Sequence, residues 1–273
     1  MNRLDPQQIA PHLITDTGVW RLTVDISERS LQAWLRRPGE DGEEAYALAR
    51  TVWSGDDSLR SVENAVYDNP LILNDFEADI VITTPRYLFV PAGLNGDSRA
   101  LQTCYEQVFE SVGADDLMAD EMGEYLCLYT LMPGLKPFLS RTFAGSRISS
   151  HVSRLDALWR EYAGEGVAVM VDLRGESVDI GVYRDGALQG MCSREYAAAD
   201  DILYYVLNTA RTLGGIDTKQ ATLKISSGVA DNLDEVKDML GEFFGSVSEI
   251  SLPSGVRMPT AAMLCSYRKT KII

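Results

Sequence analysis

Two aspartates, Asp25 and Asp172, are the residues of this sequence best placed to carry chemistry. Each ends a short run of apolar residues and precedes a tight turn. A carboxylate that faces a cleft from such a position can orient Mg²⁺ through water or act as a general base. The alternative is that both aspartates cap their hairpin turns through local hydrogen bonds between side chain and backbone.

Other catalytic groups are scarce. The 2 histidines, His12 and His151, lie in different regions of the sequence, which disfavours a histidine-rich metal site and Ser-His or Cys-His catalysis. The 4 cysteines show no CxxC spacing, so the sequence predicts neither a zinc site nor a disulfide framework. No metal-ligating residues are predicted.

Composition and charge narrow the class of protein further. The 273 residues are 45% hydrophobic and 24% charged, which is typical of a globular chain with one large domain or two smaller ones. A net charge of −15 disfavours binding to nucleic acids and to anionic lipid surfaces. No apolar stretch approaches about eighteen residues and the first residues do not resemble a secretory signal, so we expect a cytoplasmic protein without membrane insertion.

An internal repeat places both aspartates at equivalent positions. The segment that begins at Val24 matches the segment that begins at Val171, at an offset of 147 residues and without a gap. Apolar residues alternate with a period of two in both segments, which predicts strands. The identical pairs are Val24 and Val171, Asp25 and Asp172, Ser30 and Ser177, Arg37 and Arg184, and Gly39 and Gly186.

The elements around this repeat predict a mixed α/β protein. Each segment is interpreted as a β-hairpin that leads into a third strand, and Asp185-Gly186 provides a hairpin turn signal. Each half then adds a helix, a short strand and a second amphipathic helix. The paired ranges are 58–66 with 202–213, 80–83 with 221–226, and 101–112 with 233–243.

This order of elements predicts mixed sheets covered by helices. The Gly-Glu-Gly sequence at Gly164 and Gly166 is a turn signal, so we place the boundary between the halves there. The first half would span residues 1–165, with additional strand and helix elements, and the second would span residues 166–273. We expect the two halves to pack around a cleft.

A duplicated hairpin with an aspartate at the end of its first strand resembles the actin-like ATPase superfamily, which has a duplicated ribonuclease H-like fold. That superfamily includes sugar kinases, the ATPase domain of heat-shock chaperones, and FtsA-like and PilM-like bacterial proteins. More closely, the chain is similar to a family of uncharacterised Bacteroidetes proteins, a domain of unknown function with this fold. Three segments carry the resemblance, which extends over about residues 15–265: residues 24–27, the Phe89-Val90-Pro91 segment before a helix, and residues 171–186.

The resemblance implies two related halves, each with a mixed, five-stranded type of sheet flanked by helices. It also implies ATP with Mg as the cofactor of active members. In those members a glycine after the hairpin aspartate lets backbone amides approach the phosphates. Here that glycine is missing from both hairpins, and the positions that could contact phosphate are Ser27 in the first hairpin and Arg174 and Gly175 in the second.

The adenosine motif of the superfamily ends in a pair of glycines at the start of a helix. Ser226, Ser227 and Gly228 occupy the matching place in this sequence, so only one of the two glycines is present. The resemblance implies that these residues line a purine pocket. An equally good interpretation is a loop between strand and helix with local turn chemistry.

The leading functional hypothesis is therefore a non-catalytic or weakly nucleotide-binding cytoplasmic protein that acts through contacts with an unknown protein partner. One alternative is an ATP-dependent kinase or ATPase with atypical phosphate loops, in which Asp25 or Asp172 is the base and Gly228 supports adenine. A second alternative is a PilM-like assembly platform at the membrane.

Overall fold

A computed structural model describes residues 5, 7–39, 42–54, 58–215, 217–252 and 255–264. Its contacts divide the described chain into two compact units. The N-terminal unit is formed by Pro6–Arg154, and the C-terminal unit by Leu155–Leu264 together with Asp5. The boundary of the sequence repeat near residue 165 is a separate question and stays a prediction.

The N-terminal unit contains two sheets. In chain order its elements are β1 (Gln7–Gln8), β2 (Arg21–Ser27), β3 (Ser30–Gly39), β4 (Gly42–Val52), α1 (Ser58–Tyr67), β5 (Glu77–Thr83), β6 (Tyr87–Pro91), α2 (Ser98–Glu106), β7 (Leu117–Met122), β8 (Tyr125–Thr130), α3 (Leu135–Thr142), β9 (Arg147–Ser150) and the start of α4 (His151–Ala163). Six strands form the main sheet in the order β1-β4-β3-β2-β5-β9, and three form a small sheet in the order β6-β8-β7.

The small sheet is an insertion between β5 and α3. Helix α2 packs on it through Leu101 and Tyr105, against Val90, Leu126 and Leu128. The sequence interpretation that matched residues 101–112 with the second helix of the other half is therefore wrong. An apolar stripe on one helix face predicts that this face is buried, but it does not say which element covers it.

Helix α2 is also shorter than its pattern suggested, because it ends at Glu106. The apolar residues that follow, Val108, Phe109 and Val112, lie outside the helix. Helix α3 is the element that stands directly before the edge strand β9.

The C-terminal unit contains one sheet of five strands in the order β12-β11-β10-β13-β14. Its elements, which follow the rest of α4, are β10 (Val167–Arg174), β11 (Ser177–Arg184), β12 (Ala187–Glu195), α5 (Ala199–Gly214), β13 (Thr222–Ser227), α6 (Leu233–Gly241), β14 (Ser246–Glu249) and α7 (Thr260–Met263). Its core is formed by apolar residues of β10, β11 and β13 packed against α5 and α6, including Val171, Ile180, Ile202, Ile225 and Val236.

The two main sheets share one topology. The order β4-β3-β2-β5-β9 repeats as β12-β11-β10-β13-β14, with two antiparallel pairs followed by two parallel pairs. The hairpin register is also the same, since Val24 lies opposite Ala33 and Val171 lies opposite Ile180. Both positions differ by the 147 residues of the sequence repeat, so the prediction of two related halves is confirmed.

No helix in the described part of the chain is both long and apolar enough to span a membrane.

Candidate functional site

Asp172 lies in the interior of the C-terminal unit, on the central strand β10, with none of its surface exposed. Its Oδ1 atom accepts hydrogen bonds from Ser226 Oγ at 2.7 Å and from Thr260 Oγ1 at 2.5 Å. Its Oδ2 atom has no hydrogen-bond partner among the described residues. The aspartate thus joins β10 to β13 and to α7 through residues distant in sequence, and these bonds are not local caps of the hairpin turn.

Burial raises the pKa of Asp172 to about 7. The hydrogen bonds from Ser226 and Thr260 lower the pKa, because they stabilise the ionised carboxylate, but desolvation outweighs them. The negative charge of Asp179 raises the pKa further, and the positive charge of Arg174 lowers it. The site is therefore a buried carboxyl group whose charge is costly.

Arg174 turns towards the unit's own interior. Its Nε atom lies 2.9 Å from Oδ2 of Asp179, and the Arg174 side chain is only 9% exposed. Asp179 is directly opposite Asp172 in the hairpin register and also accepts a short hydrogen bond from Ser193 Oγ. Arg174 therefore compensates the second buried carboxylate of this cluster.

Ser227 and Gly228 form the connection between β13 and the following loop. The Ser227 hydroxyl accepts from the backbone amides of Val229 and Ala230, at 3.3 and 2.8 Å, and donates to the carbonyl of Leu173 at 3.0 Å. This is the local turn chemistry that the sequence left as one of two interpretations.

Gly228 allows a close approach of the chain to itself. A Cβ atom at this position would lie only 1.8 Å from the carbonyl oxygen of Met258. The Met258 amide also donates to the Gly228 carbonyl at 3.1 Å. The absence of a side chain is thus required by the segment that leads into α7.

Gly175 has a different reason to be glycine. Its φ angle is +65°, in the left-handed region that side chains disfavour, and a Cβ atom there would meet nothing within 4 Å. The residue makes the turn between β10 and β11 and leaves its backbone open on one side.

In the N-terminal unit, Asp25 occupies the position on β2 that Asp172 has on β10. It is 7% exposed, and its Oδ1 atom accepts a hydrogen bond from Thr83 Oγ1 at 2.8 Å. Ser27 ends the strand, with its hydroxyl 2.7 Å from the Ser30 hydroxyl across the turn. Both aspartates thus accept a hydrogen bond from a hydroxyl group on the neighbouring parallel strand.

A cleft of about 310 Å³ lies in the N-terminal unit at the carboxyl ends of β2 and β5. Ser27 and Thr83 line it, together with residues of the inserted sheet and its helix. The charged residues among its described lining are Glu28, Glu110, Asp116 and Arg86. Glu28 lies 3.6 Å from Arg86 as an ion pair, so the lining has an excess of negative charge.

The structure brings together Asp172, Arg174 and Ser226 in the C-terminal unit, and Asp25 and Ser27 at the end of β2 in the N-terminal unit. Sequence reasoning did not single out Asp179 or Thr260. Asp179 alternates with the core residues Val178 and Ile180, so the strand period places it on the opposite face and gives no signal of its burial. Thr260 lies 88 residues from Asp172 in a stretch without a motif.

No three His, Cys, Asp or Glu side chains of the described ranges are grouped closely enough to hold a metal ion.

Comparison with solved structures identifies the fold. A protein of unknown function with an actin-like ATPase fold from Bacteroides thetaiotaomicron superposes with a TM-score of 0.72 and 14% identity, over 92% of this chain and 97% of that chain. The actin-like fold predicted from the sequence is confirmed by this likeness, which at such low identity shows the fold alone.

Two other solved structures are similar at lower scores. The AlfA filament from a B. subtilis plasmid has a TM-score of 0.47 and 11% identity, over 92% of this chain and 100% of that chain. The PilM–PilN complex of type IV pilus biogenesis has a TM-score of 0.43 and 11% identity, over 85% and 88%. At these TM-scores neither likeness supports a conclusion about this chain.

Comparison with curated proteins gives no match. A family model does match, over residues 14–247, and it covers the N-terminal unit almost entirely together with most of the C-terminal unit. The chain therefore belongs to the family described as Protein of unknown function (DUF3822).

Proposed function

We propose that this chain is a non-catalytic, or at most weakly nucleotide-binding, actin-fold protein of the cytoplasm that acts through contacts with other proteins. The enclosure of Asp172 carries the proposal. Its carboxylate takes both of its hydrogen bonds from the chain's own hydroxyl groups and is fully buried. A carboxylate that is desolvated in this way is not available to position a hydrated cation or to accept a proton from a substrate.

The surroundings of Asp172 do not fit a nucleotide either. Arg174 is engaged with Asp179 and so does not provide a free cation for phosphate. A glycine at this position could leave space for the face of a purine. At Gly228 the Met258 backbone occupies that space. The contacts of this unit therefore favour a packed interior over a ligand site.

The charge of the N-terminal cleft supports the same proposal. Its described lining contains three carboxylates, those of Glu28, Glu110 and Asp116, and one guanidinium, that of Arg86. A triphosphate would meet net repulsion there, because like charges in a partly desolvated cleft interact more strongly than in bulk water.

ATP hydrolysis by the full chain tests the proposal. We expect no turnover with millimolar ATP and Mg²⁺, and the same background rate from the wild-type protein and from Asp25→Ala and Asp172→Ala. Thermal shift provides a second measurement, since a ligand at 100 times its Kd stabilises a protein by about 2.7 kcal/mol. Turnover that depends on Mg²⁺ and is lost in either aspartate variant would refute the proposal.

A further inference from the structure

The edge strand β12 differs from the other sheet edges in the described part of the chain. It is 9 residues long, whereas β9 and β14 have 4 residues each and β6 has 5 and ends at Pro91. Short length, charge and proline are the usual means by which proteins keep a sheet edge from pairing with other strands. In β12 the charged residues are confined to the end, at Arg194 and Glu195, and the strand contains no proline.

In the other half of the repeat, the equivalent edge strand is paired with a further strand. There β4, the equivalent of β12, pairs in parallel with the two-residue strand β1, through Tyr46 and Ala47. In the described part of the chain β12 pairs only with β11. Both β4 and β12 contain one register shift, so a bulge does not distinguish the two edges.

The shared register locates the open position on β12. Tyr46 and Ala47 lie opposite Leu35 and Trp34 of β3. The offset of 147 carries those two residues to Val182 and Gly181 of β11, which lie opposite Gly190 and Met191. The part of β12 that corresponds to the β1 pairing site is therefore Gly190–Met191.

An exposed apolar side chain lies at this position. Leu213, near the end of α5, is 41% exposed. A Cβ atom at Gly190 would lie 2.7 Å from Leu213 Cδ1, so the leucine rests directly on the backbone of the edge strand. A strand added beside Gly190 would cover this leucine and remove apolar surface from water.

We propose that β12 is a docking edge for an extended peptide segment of a partner protein, which pairs alongside Gly190–Met191 and places an apolar side chain on Leu213. Main-chain hydrogen bonds give such a complex its affinity, and the side chain on Leu213 gives it selectivity. This inference rests on the proposed function in protein contacts and specifies which surface is used and what kind of partner it accepts.

The test begins with peptides selected from a displayed library of random twelve-residue sequences, using the full chain as bait. We expect a selected synthetic peptide to slow hydrogen exchange of the wild-type amides over residues 188–194. Leu213→Glu is expected to raise the Kd of the peptide at least about tenfold, because it replaces an apolar contact by a charge. Tyr204→Glu is the control, since Tyr204 is also exposed on α5, at 63%.

Several results would overturn the inference: no enriched peptide, protection at another surface, or equal loss of affinity in Tyr204→Glu and Leu213→Glu. N-methylation gives an independent signature. If the peptide pairs as a strand, methyl groups on alternate amides abolish binding and those on the intervening amides do not. ATP turnover would refute the proposed function without changing any of these results, so the two failures are distinguishable.

Discussion

Replacing Asp172 by asparagine removes a buried charge and keeps a hydrogen-bond acceptor. The carboxyl group is fully buried, and its Oδ1 atom accepts from Ser226 and Thr260. The other charged groups that face it are Asp179 on β11 and Arg174 on its own strand. Asparagine has nearly the same shape, and its side-chain oxygen can still accept both hydrogen bonds from the hydroxyl groups, but it cannot ionise.

The expected effect on stability follows from the pKa. The pKa of Asp172 rises from 3.8 to about 7 on folding, mainly through burial. Because the folded value is the higher one, the group contributes fully to stability below pH 4, and this contribution is lost as the pH rises towards 7. A difference of about 3 in pKa corresponds to about 4 kcal/mol, of which roughly 2–3 kcal/mol falls between pH 5 and pH 8.

We therefore expect the free energy of unfolding of Asp172→Asn, relative to that of the wild type, to increase by about 2–3 kcal/mol as the pH is raised from 5 to 8. Chemical denaturation followed by hydrogen exchange measures this, because peptides from β10 and β13 report on the C-terminal unit alone. The matched control is Asp238→Asn, which changes an exposed carboxylate on α6 of the same unit. Parallel stability curves for the wild type and Asp172→Asn over this pH range would refute the reasoning.

Three further substitutions test the packing. Gly228→Ala is expected to destabilise the protein by roughly 1–3 kcal/mol in urea denaturation, because its Cβ would lie 1.8 Å from the Met258 carbonyl. Gly241→Ala, at the end of α6 where a Cβ meets nothing within 4 Å, should instead stabilise by up to about 1 kcal/mol, and a loss equal to that of Gly228→Ala would contradict the argument. Asp120→Ala should cost about 1–2 kcal/mol and speed hydrogen exchange of the Ser150 amide, directly before α4, because Asp120 Oδ2 accepts from that amide at 2.7 Å; unchanged exchange at Ser150 would exclude this role.

The hairpins and the shared topology could be predicted because their signals are local. Alternating apolar residues give the strands, and Asp185-Gly186 gives a turn in which both residues have positive φ. The sequence repeat also contained the register, since an offset of 147 residues applies to both strands of each hairpin. Local patterns that occur twice in one chain are stronger evidence than either copy alone.

The inserted sheet and the short edge strands could not be predicted in the same way. Strands β9 and β14 have four residues each, and their sequences, RISS and SVSE, contain too few apolar residues to show a period. Their place in the sheet is fixed by parallel pairing with β5 and β13, which is a tertiary contact. Without these strands, α2 and α6 seemed equivalent.

The candidate site shows the same limit at the level of single residues. The sequence located Asp172, but its environment depends on Thr260, 88 residues away, and on Asp179 across the hairpin. For Gly228 the sequence leaves a purine pocket and a turn loop as alternatives, and the structure adds that its missing side chain accommodates the Met258 backbone. A motif identifies positions, and the contacts decide what those positions do.

The repetition of the aspartate has an explanation that needs no ligand. In each half the carboxylate on the hairpin's first strand accepts a hydrogen bond from a hydroxyl group on the adjacent parallel strand. Thr83 donates to Asp25, and Ser226 donates to Asp172. These strands belong to different parts of the chain, and a side-chain bond between them adds a specific link where hairpin and parallel pairing meet. In the C-terminal half Asp172 also accepts a hydrogen bond from Thr260, which fixes α7 to the sheet. Loss of the Thr260 hydroxyl should therefore loosen α7 and leave the link between β10 and β13 in place.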